Sequence, residues 1–241
     1  KMFGVPSSIK IIDKINRYFI SDKRYNKKYR IIIAPPATLL HNFNQKYRSK
    51  KISISAQNCF YKDKFGPYTG LISPFMIKKI GIKYIIVGHS ENRALGETDY
   101  IIKEKIFLSQ KNNLNNILCI GENKTEKSKK ITKKVLNNQI KKVIKKSYNL
   151  QKIIIAYEPV WSIGTGKIPQ TEELTDIIIS IKKFVSKIFK TKKDIKVLYG
   201  GSVDKNSIFN FKGIKELDGF LIGGASKSSK NFIDIIKNFY K

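Results

Sequence analysis

A glutamate that directly follows a buried strand is the residue of this sequence best placed to do chemistry. Glu158 stands where the apolar run at 153–156 ends, and Pro159 then prevents the strand from continuing. The loop that follows carries Gly164 and Gly166, which can act as hinges and as uncovered backbone donors. A carboxylate at a strand end beneath a glycine-hinged loop is typical of a lidded acid/base site. Considered alone, a glutamate after a strand is more often a cap or a rim charge.

Other polar or glycine-rich groups occupy the same point of their own segments, just past an apolar run. His89 and Glu122 follow two successive runs, and two later runs are followed by Ser202 and by the pair Gly223 and Gly224. The glycine-rich turns each follow a strand and are predicted to open a helix, an arrangement that binds anions through backbone N–H groups. If the strands are parallel, all of these groups lie at one edge of the sheet.

The elements that would position these groups alternate regularly along the chain. Seven apolar runs are separated by helical patterns, among them a Lys-rich amphipathic helix predicted over 125–147. Such alternation predicts a parallel sheet with helical crossovers. A closed barrel gathers every strand end into one rim, whereas a doubly wound sheet divides them about a switch point. We therefore predict an α/β fold of the (β/α)8 TIM-barrel class. The runs are centred near residues 32, 54, 85, 118, 155, 197 and 220.

Length and composition indicate one domain. At 241 residues the chain suits a single TIM-barrel domain over residues 1–241. Such a barrel has eight strands and the sequence shows seven, so the first strand is expected before Lys1. No apolar run approaches the roughly 20 residues of a membrane span, so we expect no membrane partner. Cys59 and Cys119 are too few and too widely separated for a disulfide framework, which favours a cytoplasmic location.

The charge of the chain is strongly positive, with 48 Lys and Arg against 18 Asp and Glu and a net charge of +30. Nucleic-acid binding is one interpretation of this balance. The lysines are spread over every polar segment, without a basic tail or a basic patch interleaved with aromatic residues, which favours a general compositional bias. We therefore expect no specific nucleic-acid partner, although a positive field would help to recruit an anionic substrate.

Five short motifs occur in a fixed order, namely GHSENR, CIGE, AYEPVWSIGTG, YGGSV and DGFLIGGAS. Each is weak alone, but in this order and at this spacing they closely resemble the triosephosphate isomerase family over nearly the whole chain. The resemblance implies a TIM barrel that interconverts dihydroxyacetone phosphate and D-glyceraldehyde 3-phosphate. The proton transfer passes through an enediolate and serves glycolysis and gluconeogenesis. The resemblance implies no cofactor and no metal ion.

The resemblance also implies roles for residues at positions that match the family's motifs. Glu158 matches the catalytic base, and His89 matches the neutral electrophile that donates to the substrate oxygens. Lys1 matches a lysine that opens a KM motif and supplies a fixed positive charge. The phosphate-binding positions are Gly164, Ser202, Gly223 and Gly224, and the supporting positions are Ser90, Glu91, Arg93 and Cys119.

Several positions depart from the family's pattern. Phe3 stands where an asparagine is usual, and the asparagine that precedes the lysine in the family is not seen before Lys1. Leu71 stands where the family carries a glutamate and Asn92 where it often carries an arginine, which suggests that those two family residues pair across a subunit contact. Ser162 replaces an alanine of the lid, and we expect this change to be small.

A homodimer is expected from the same resemblance. In the family the loop that corresponds to residues 66–70 reaches into the neighbouring subunit, and Thr69 matches the residue that approaches the partner's active site. The loop is apolar enough in this sequence to be buried in such a contact.

Two alternative functions are open at this stage. A sugar-phosphate epimerase on the same fold would need metal-binding histidines at strand ends, and only His41 and His89 are available. A basic nucleic-acid-binding protein belongs to a different class, and it would show strongly salt-dependent binding that does not require Glu158.

Overall fold

A computed structural model describes residues 1–21, 29–47 and 51–240 of the chain. Its centre is a parallel sheet of seven strands in which hydrogen-bonded neighbours follow one another in chain order. A doubly wound sheet reverses this order at its switch point, whereas a barrel does not, so the structure confirms the predicted class of fold. The strands are β1 (Ile32–Ile33), β2 (Ser53–Ala56), β3 (Tyr84–Val87), β4 (Asn115–Ile120), β5 (Ile153–Tyr157), β6 (Lys196–Tyr199) and β7 (Gly219–Phe220).

α-Helices follow the strands along the chain. Several begin at polar caps, as where the Ser73 side chain accepts a hydrogen bond from the N–H of Met76. Within the described ranges, none has the length and the apolar character needed to cross a membrane. The described helices are α1 (Ile9–Ser21), α2 (Leu40–Tyr47), α3 (Pro74–Lys79), α4 (Ser90–Ala94), α5 (Asp99–Lys111), α6 (Lys124–Ser128), α7 (Thr132–Val143), α8 (Thr171–Phe189) and α9 (Ser229–Tyr240).

The Lys-rich helix predicted over 125–147 was wrong in its extent, because the segment forms two helices, α6 and α7. Between them Lys130 adopts a left-handed backbone with φ of 56°, which a continuous right-handed helix cannot contain. Helix α7 then ends because Ile144 turns to an extended conformation with ψ of 130°. Residues 124–130 carry no apolar side chain, and the apolar spacing begins only at Ile131, so the pattern did not support one continuous helix across this break.

Side chains of the central strands alternate between two apolar clusters. Cys119 of β4 and Ala156 of β5 belong to a small cluster, whereas their neighbours Leu118 and Ile155 belong to a larger one that includes residues of the surrounding helices. The small cluster is therefore the interior of the barrel. Glu158 lies two positions beyond Ala156, so the alternation directs it to the same interior face.

Lys1 lies at the carboxyl edge of the sheet, between the two outermost strands. The Nε2 of Gln57 donates to the carbonyl oxygen of Lys1 at 3.1 Å and to that of Ala34, just past β1, at 2.8 Å. On the other side, a Cβ atom on Gly223, just past β7, would lie 3.4 Å from Cε of Lys1. Lys1 thus lies close to residues that follow both outermost strands, β1 and β7.

Candidate active site

Glu158 places a carboxylate at the carboxyl edge, where it is only 2% exposed. Its backbone N–H donates to the carbonyl oxygen of Ile120 at 2.7 Å, which ties it to the end of β4. A Cβ atom on Gly121 would lie 1.8 Å from the Glu158 carbonyl oxygen, and one on Gly200 would lie 2.8 Å from its Cγ. Gly121 therefore leaves room for the backbone of Glu158, and Gly200 leaves room for its side chain.

The Glu158 carboxylate faces an imidazole. Its Oε1 lies 3.1 Å from Nε2 of His89, and its Oε2 accepts the backbone N–H of Ser90 at 3.3 Å. Burial raises the pKa of Glu158 to about 7, against the opposing effects of the Ser90 N–H, the Cys119 thiol and the charge of Lys1. A carboxyl group with this pKa can exchange a proton at neutral pH.

His89 is held as a neutral hydrogen-bond donor. It is the N-cap of α4, and its Nδ1 accepts the backbone N–H of Glu91 at 3.2 Å. Because Nδ1 accepts, the proton of the neutral ring is on Nε2, which faces Glu158. Burial lowers the pKa of His89, and the charge of Lys1 adds to this effect while Glu91 opposes it. The neutral form expected from the sequence is the form that this environment favours.

Lys1 brings a positive charge to the carboxylate and the imidazole. Its Nζ forms an ion pair with the carboxylate of Glu91, and both side chains keep contact with solvent. The same charge lowers the pKa of Glu158 and of His89. The three residues expected to be catalytic therefore lie within electrostatic reach of one another.

Arg93 supports the turn that carries His89. Its Nε donates to the carbonyl oxygen of Gly88 at 2.9 Å, and its Nη2 donates to that of Cys119 at 3.5 Å. Burial raises the pKa of the Cys119 thiol well above its usual value, so the group is protonated and suits packing better than nucleophilic attack. Its thiol donates to Glu158. Arg93 thus contacts the turn that carries His89, and Cys119 contacts the Glu158 carboxylate.

A buried ion pair behind the same turn was not predicted. Nζ of Lys105 lies 2.5 Å from Oε2 of Glu97, and Oε1 of Glu97 accepts the backbone N–H of Gly88 at 3.2 Å. A signal was present in the sequence, because Lys105 occupies the buried face of α5 between Ile102 and Ser109. A lysine on such a face needs a buried partner.

The loop after Glu158 is anchored to the end of β4 by Glu122. The Nε1 of Trp161 donates to Oε1 of Glu122 at 2.7 Å, and the Tyr157 hydroxyl donates to the same oxygen at 3.1 Å. Burial raises the pKa of Glu122, while these two hydrogen bonds act in the opposite direction. The sequence marked Glu122 as a strand-end group without a role, and its contacts make it an anchor of the loop.

The same loop, residues 159–167, is called the lid below, and it contacts Ser202. The Ser202 hydroxyl donates to the carbonyl oxygen of Ser162 at 2.6 Å and accepts the N–H of Gly166 at 3.2 Å. The Ser162 hydroxyl in turn accepts the backbone N–H of Ser202 at 3.2 Å. Serine in place of alanine therefore adds a hydrogen bond between the lid and the turn after β6, which is more than the small change that was expected.

Two turns at the carboxyl edge offer backbone N–H groups. Those of Gly164 and Gly223 donate no hydrogen bond to another residue of the described ranges. The glycine-rich turns after β6 and after β7 were each predicted to open a helix, and this prediction needs correction. After Ser202 the next helical segment is a 3₁₀ helix at Ser207–Phe211, and Gly224–Lys227 is also 3₁₀. Free amides in such turns bind anions without an α-helix behind them.

Thr69 is the expected site residue that the structure does not bring to this edge. It lies in an exposed loop, and within the described ranges it forms no hydrogen bond with the groups above. Its expected role concerns the site of a neighbouring subunit, so a single chain does not show it.

The groups at this edge suit proton transfer next to a carbonyl. A buried carboxyl group with a pKa near neutrality can take a proton from carbon, and a neutral imidazole can donate to the oxygen that gains charge. A fixed cation and free amides can hold an anionic group. Among residues 1–21, 29–47 and 51–240, no three His, Cys, Asp or Glu side chains are placed to hold a metal ion.

Comparisons with known proteins agree with this chemistry. The family model described as "Triosephosphate isomerase" matches residues 1–239. The chain is 38% identical to triosephosphate isomerase of Dictyoglomus turgidum over 221 residues, which cover 90% of this chain and 88% of that one. It is 36% identical to triosephosphate isomerase of Zygosaccharomyces bailii over 242 residues, covering 99% and 95%. The crystal structure of triosephosphate isomerase from Bartonella henselae matches with a TM-score of 0.89 and 31% identity, over 100% of this chain and 96% of that chain.

Proposed function

The chain belongs to the triosephosphate isomerase family and interconverts dihydroxyacetone phosphate and glyceraldehyde 3-phosphate, and we propose that Glu158, His89 and Lys1 carry out this reaction. One proton moves between two adjacent carbons through an enediolate. The reaction needs a base, a donor to both oxygens, a positive charge and a hold on the phosphate. Each need has a candidate group at the carboxyl edge.

The buried Glu158 carboxylate, with a pKa of about 7 and facing His89, is the observation that supports these roles best. A base with this pKa is ionised in a useful fraction at neutral pH and is more basic than an exposed carboxylate. Its interior-face position suits a substrate bound at the centre of the rim. In our proposal Glu158 takes the proton from one carbon and returns it to the next.

His89 donates its Nε2–H to the two substrate oxygens in turn. The ring stays neutral because its Nδ1 accepts the N–H of Glu91 and because burial disfavours imidazolium. The family is itself a well-known example of a neutral histidine in this role. A substrate between His89 and Glu158 would replace their 3.1 Å contact with one contact to each group.

Lys1 stabilises the negative charge that grows on the enediolate oxygens. Its ammonium already acts on both Glu158 and His89, so it lies within reach of the place where that charge develops. Its ion pair with Glu91 limits the positions of a long, flexible side chain. Such fixed charges act most strongly when water is excluded.

The backbone N–H groups of Gly164, Ser202, Gly223 and Gly224 bind the substrate phosphate. They belong to the lid, the turn after β6 and the turn after β7. Free amides at turns form a concave site for an anion. The lid then excludes water, and the Trp161 contact with Glu122 sets where it rests.

A coupled assay with each triose phosphate tests these roles. The protein should turn over both substrates, and His89→Gln should lower kcat about a hundredfold, because one well-placed donor to an oxyanion is worth this much. His41→Gln is the matched control, since His41 is exposed on α2. Equal activity of the two variants would contradict the role of His89, and absence of turnover in the unaltered protein would contradict the reaction.

We also propose that the protein is a homodimer. The loop before α3 exposes large apolar side chains to solvent. Phe65 is 77% exposed, and Tyr68 and Leu71 are also exposed. Exposed apolar side chains close in sequence are typical of a contact surface, and a second copy would bring Thr69 toward its partner. Sedimentation at micromolar concentration should show a dimer, and a monomer alone would contradict the proposal.

A cytoplasmic location is proposed from the cysteines. Cys59 and Cys119 are both buried free thiols, which suits a reducing compartment. Fractionation of cells that express the protein should recover it with cytoplasmic markers, and recovery with secreted material would contradict this location.

A further inference from the structure

Ser162 is a fully buried lid residue whose hydroxyl is shared among three groups. Its Oγ lies 2.5 Å from the carbonyl oxygen of Lys167, 3.1 Å from the Tyr199 hydroxyl oxygen and 3.2 Å from the backbone nitrogen of Ser202. A hydroxyl group has one proton, and a carbonyl oxygen can only accept. The proton of Ser162 therefore goes to Lys167, and its lone pairs accept from Tyr199 and from the Ser202 N–H.

The Ser202 N–H is the member of this set that matters for binding. It is one of the four amides proposed above to hold the substrate phosphate. Gly164 and Gly223 have free N–H groups within the described ranges, whereas that of Ser202 already donates to the Ser162 Oγ. One N–H makes one strong hydrogen bond, so a phosphate oxygen and the Ser162 hydroxyl cannot both have it.

The contact is tightly built rather than incidental. A Cβ atom on Gly201 would lie 2.6 Å from the Ser162 Oγ and 2.2 Å from the Tyr199 hydroxyl oxygen. Glycine at this position is therefore what lets both hydroxyl groups lie against the turn after β6. The lid keeps two further contacts with this turn that do not use the Ser162 hydroxyl, namely those made by the Ser202 side chain.

On the basis of the phosphate site proposed above, we propose that Ser162 is a positioning residue whose hydroxyl competes with substrate phosphate for the Ser202 amide. In the empty site the hydroxyl satisfies this amide and holds the lid on the turn after β6. Phosphate takes the amide, and the Ser162 hydroxyl gives it up while keeping Lys167 and Tyr199 as partners. The lid residue thus lowers the affinity of the site for phosphate in exchange for a defined resting position.

Direct binding of inorganic phosphate to Ser162→Ala tests this competition. Trp161 is the one tryptophan of the chain and lies in the lid, so its fluorescence during a titration at constant ionic strength gives a Kd. The variant keeps both Ser202 side-chain contacts with the lid. We expect it to bind phosphate about threefold to tenfold more tightly, which is the range for release of one hydrogen bond.

Tyr199→Phe is the matched control, because it removes a partner of the Ser162 hydroxyl but leaves that hydroxyl on the Ser202 amide. Its Kd should stay within about twofold of the unaltered protein. The double variant Ser162→Ala/Tyr199→Phe should bind as tightly as the single alanine variant, without leaving a buried phenol unpaired. Unchanged or weaker phosphate binding in both alanine variants would overturn the proposed competition, and Ser162 would then only hold the lid in place.

Turnover of triose phosphate, measured on the same preparations, separates this inference from the proposed catalytic roles. Turnover in the unaltered protein without tighter phosphate binding in the alanine variants would reject the role of Ser162 alone. Tighter binding in those variants without turnover in the unaltered protein would support the competition and reject the catalytic roles.

Discussion

Two glutamates at the ends of adjacent strands have the same burial and opposite surroundings. Glu122 lies just past β4 and Glu158 just past β5, both are buried, and burial raises the pKa of each. Glu122 accepts hydrogen bonds from Trp161 and Tyr157 through its Oε1, whereas Oε1 of Glu158 faces Nε2 of His89. One carboxylate thus binds the lid, and the other faces the space where a substrate would lie.

The alternation of side chains along a strand explains the difference. Glu158 continues the series of Ala156, which faces the barrel interior. Glu122 continues the series of Leu118 and Ile120, which face the helices, and so it meets Tyr157 of the same outer layer. Residue type and burial are therefore not enough to assign a role, because the partner groups decide what a buried carboxylate can do.

Removal of the lid tip should have the largest effect, because it opens the site over Glu158 while Glu122 keeps its hydrogen bond with Trp161. Deletion of residues 162–164 also removes the Gly164 amide, and we expect isomerisation to fall by two to three orders of magnitude. The enediolate carries its phosphate next to an electron-rich carbon, so a loosely held phosphate should be eliminated. Inorganic phosphate and methylglyoxal should therefore appear beside the slow isomerisation. A slow variant without free phosphate would restrict the lid to gating.

Glu158→Asp should have the second largest effect, and it should distinguish the role of Glu158 from that of Glu122. The change keeps the charge but withdraws it by one methylene, so kcat should fall about a hundredfold with a modest change in KM. Glu122→Asp is the matched control, and it should cost less than tenfold because it acts only through the lid. Equal losses in the two variants, measured by the coupled assay, would contradict the division of roles.

Glu122→Gln should have an intermediate effect. Glutamine can still accept from Trp161, but the bond loses its charge, and we expect kcat to fall about tenfold. Trp161→Phe removes the same bond from the other side, so the double variant should be no slower than the slower single variant. Additive losses in this cycle would show that Glu122 acts through a group other than Trp161.

The smallest expected effect is that of Glu122→Gln on the pH dependence of kcat/KM. Glu158 must be ionised to accept a proton, and its pKa is raised to about 7, so activity should be about half-maximal near pH 7 and fall tenfold per unit below it. Glu122→Gln should leave this midpoint unchanged, because Glu122 does not exchange a proton with substrate. A midpoint near pH 4.5 in the unaltered protein would show that Glu158 is solvated in the free enzyme.

Local sequence pattern was enough to place the strands. The seven apolar runs are the seven described strands, because a strand buried on both faces needs a continuous run whatever its neighbours are. Pro159 likewise marks the end of β5, since it has no N–H for the ladder. The helix predicted over 125–147 failed at Lys130, where a left-handed backbone breaks the helix, and residues 124–130 carry no apolar side chain that could have indicated its true extent.

The sequence by itself also gave the types and positions of the side chains proposed for the chemistry, namely Glu158, His89 and Lys1, through motifs that resemble those of the family. These are properties of residue type and position. They do not depend on how the chain is packed.

Only the tertiary structure decided what each group meets. The pKa of Glu158 depends on water removed by the whole fold and on charges contributed by distant segments. Two of the three partners of the Ser162 hydroxyl come from β6 and the turn after it, about 40 positions along the chain, so its difference from alanine had no visible consequence in the sequence. Desolvation and hydrogen bonding are properties of the surroundings of a group, and folding alone brings those surroundings together.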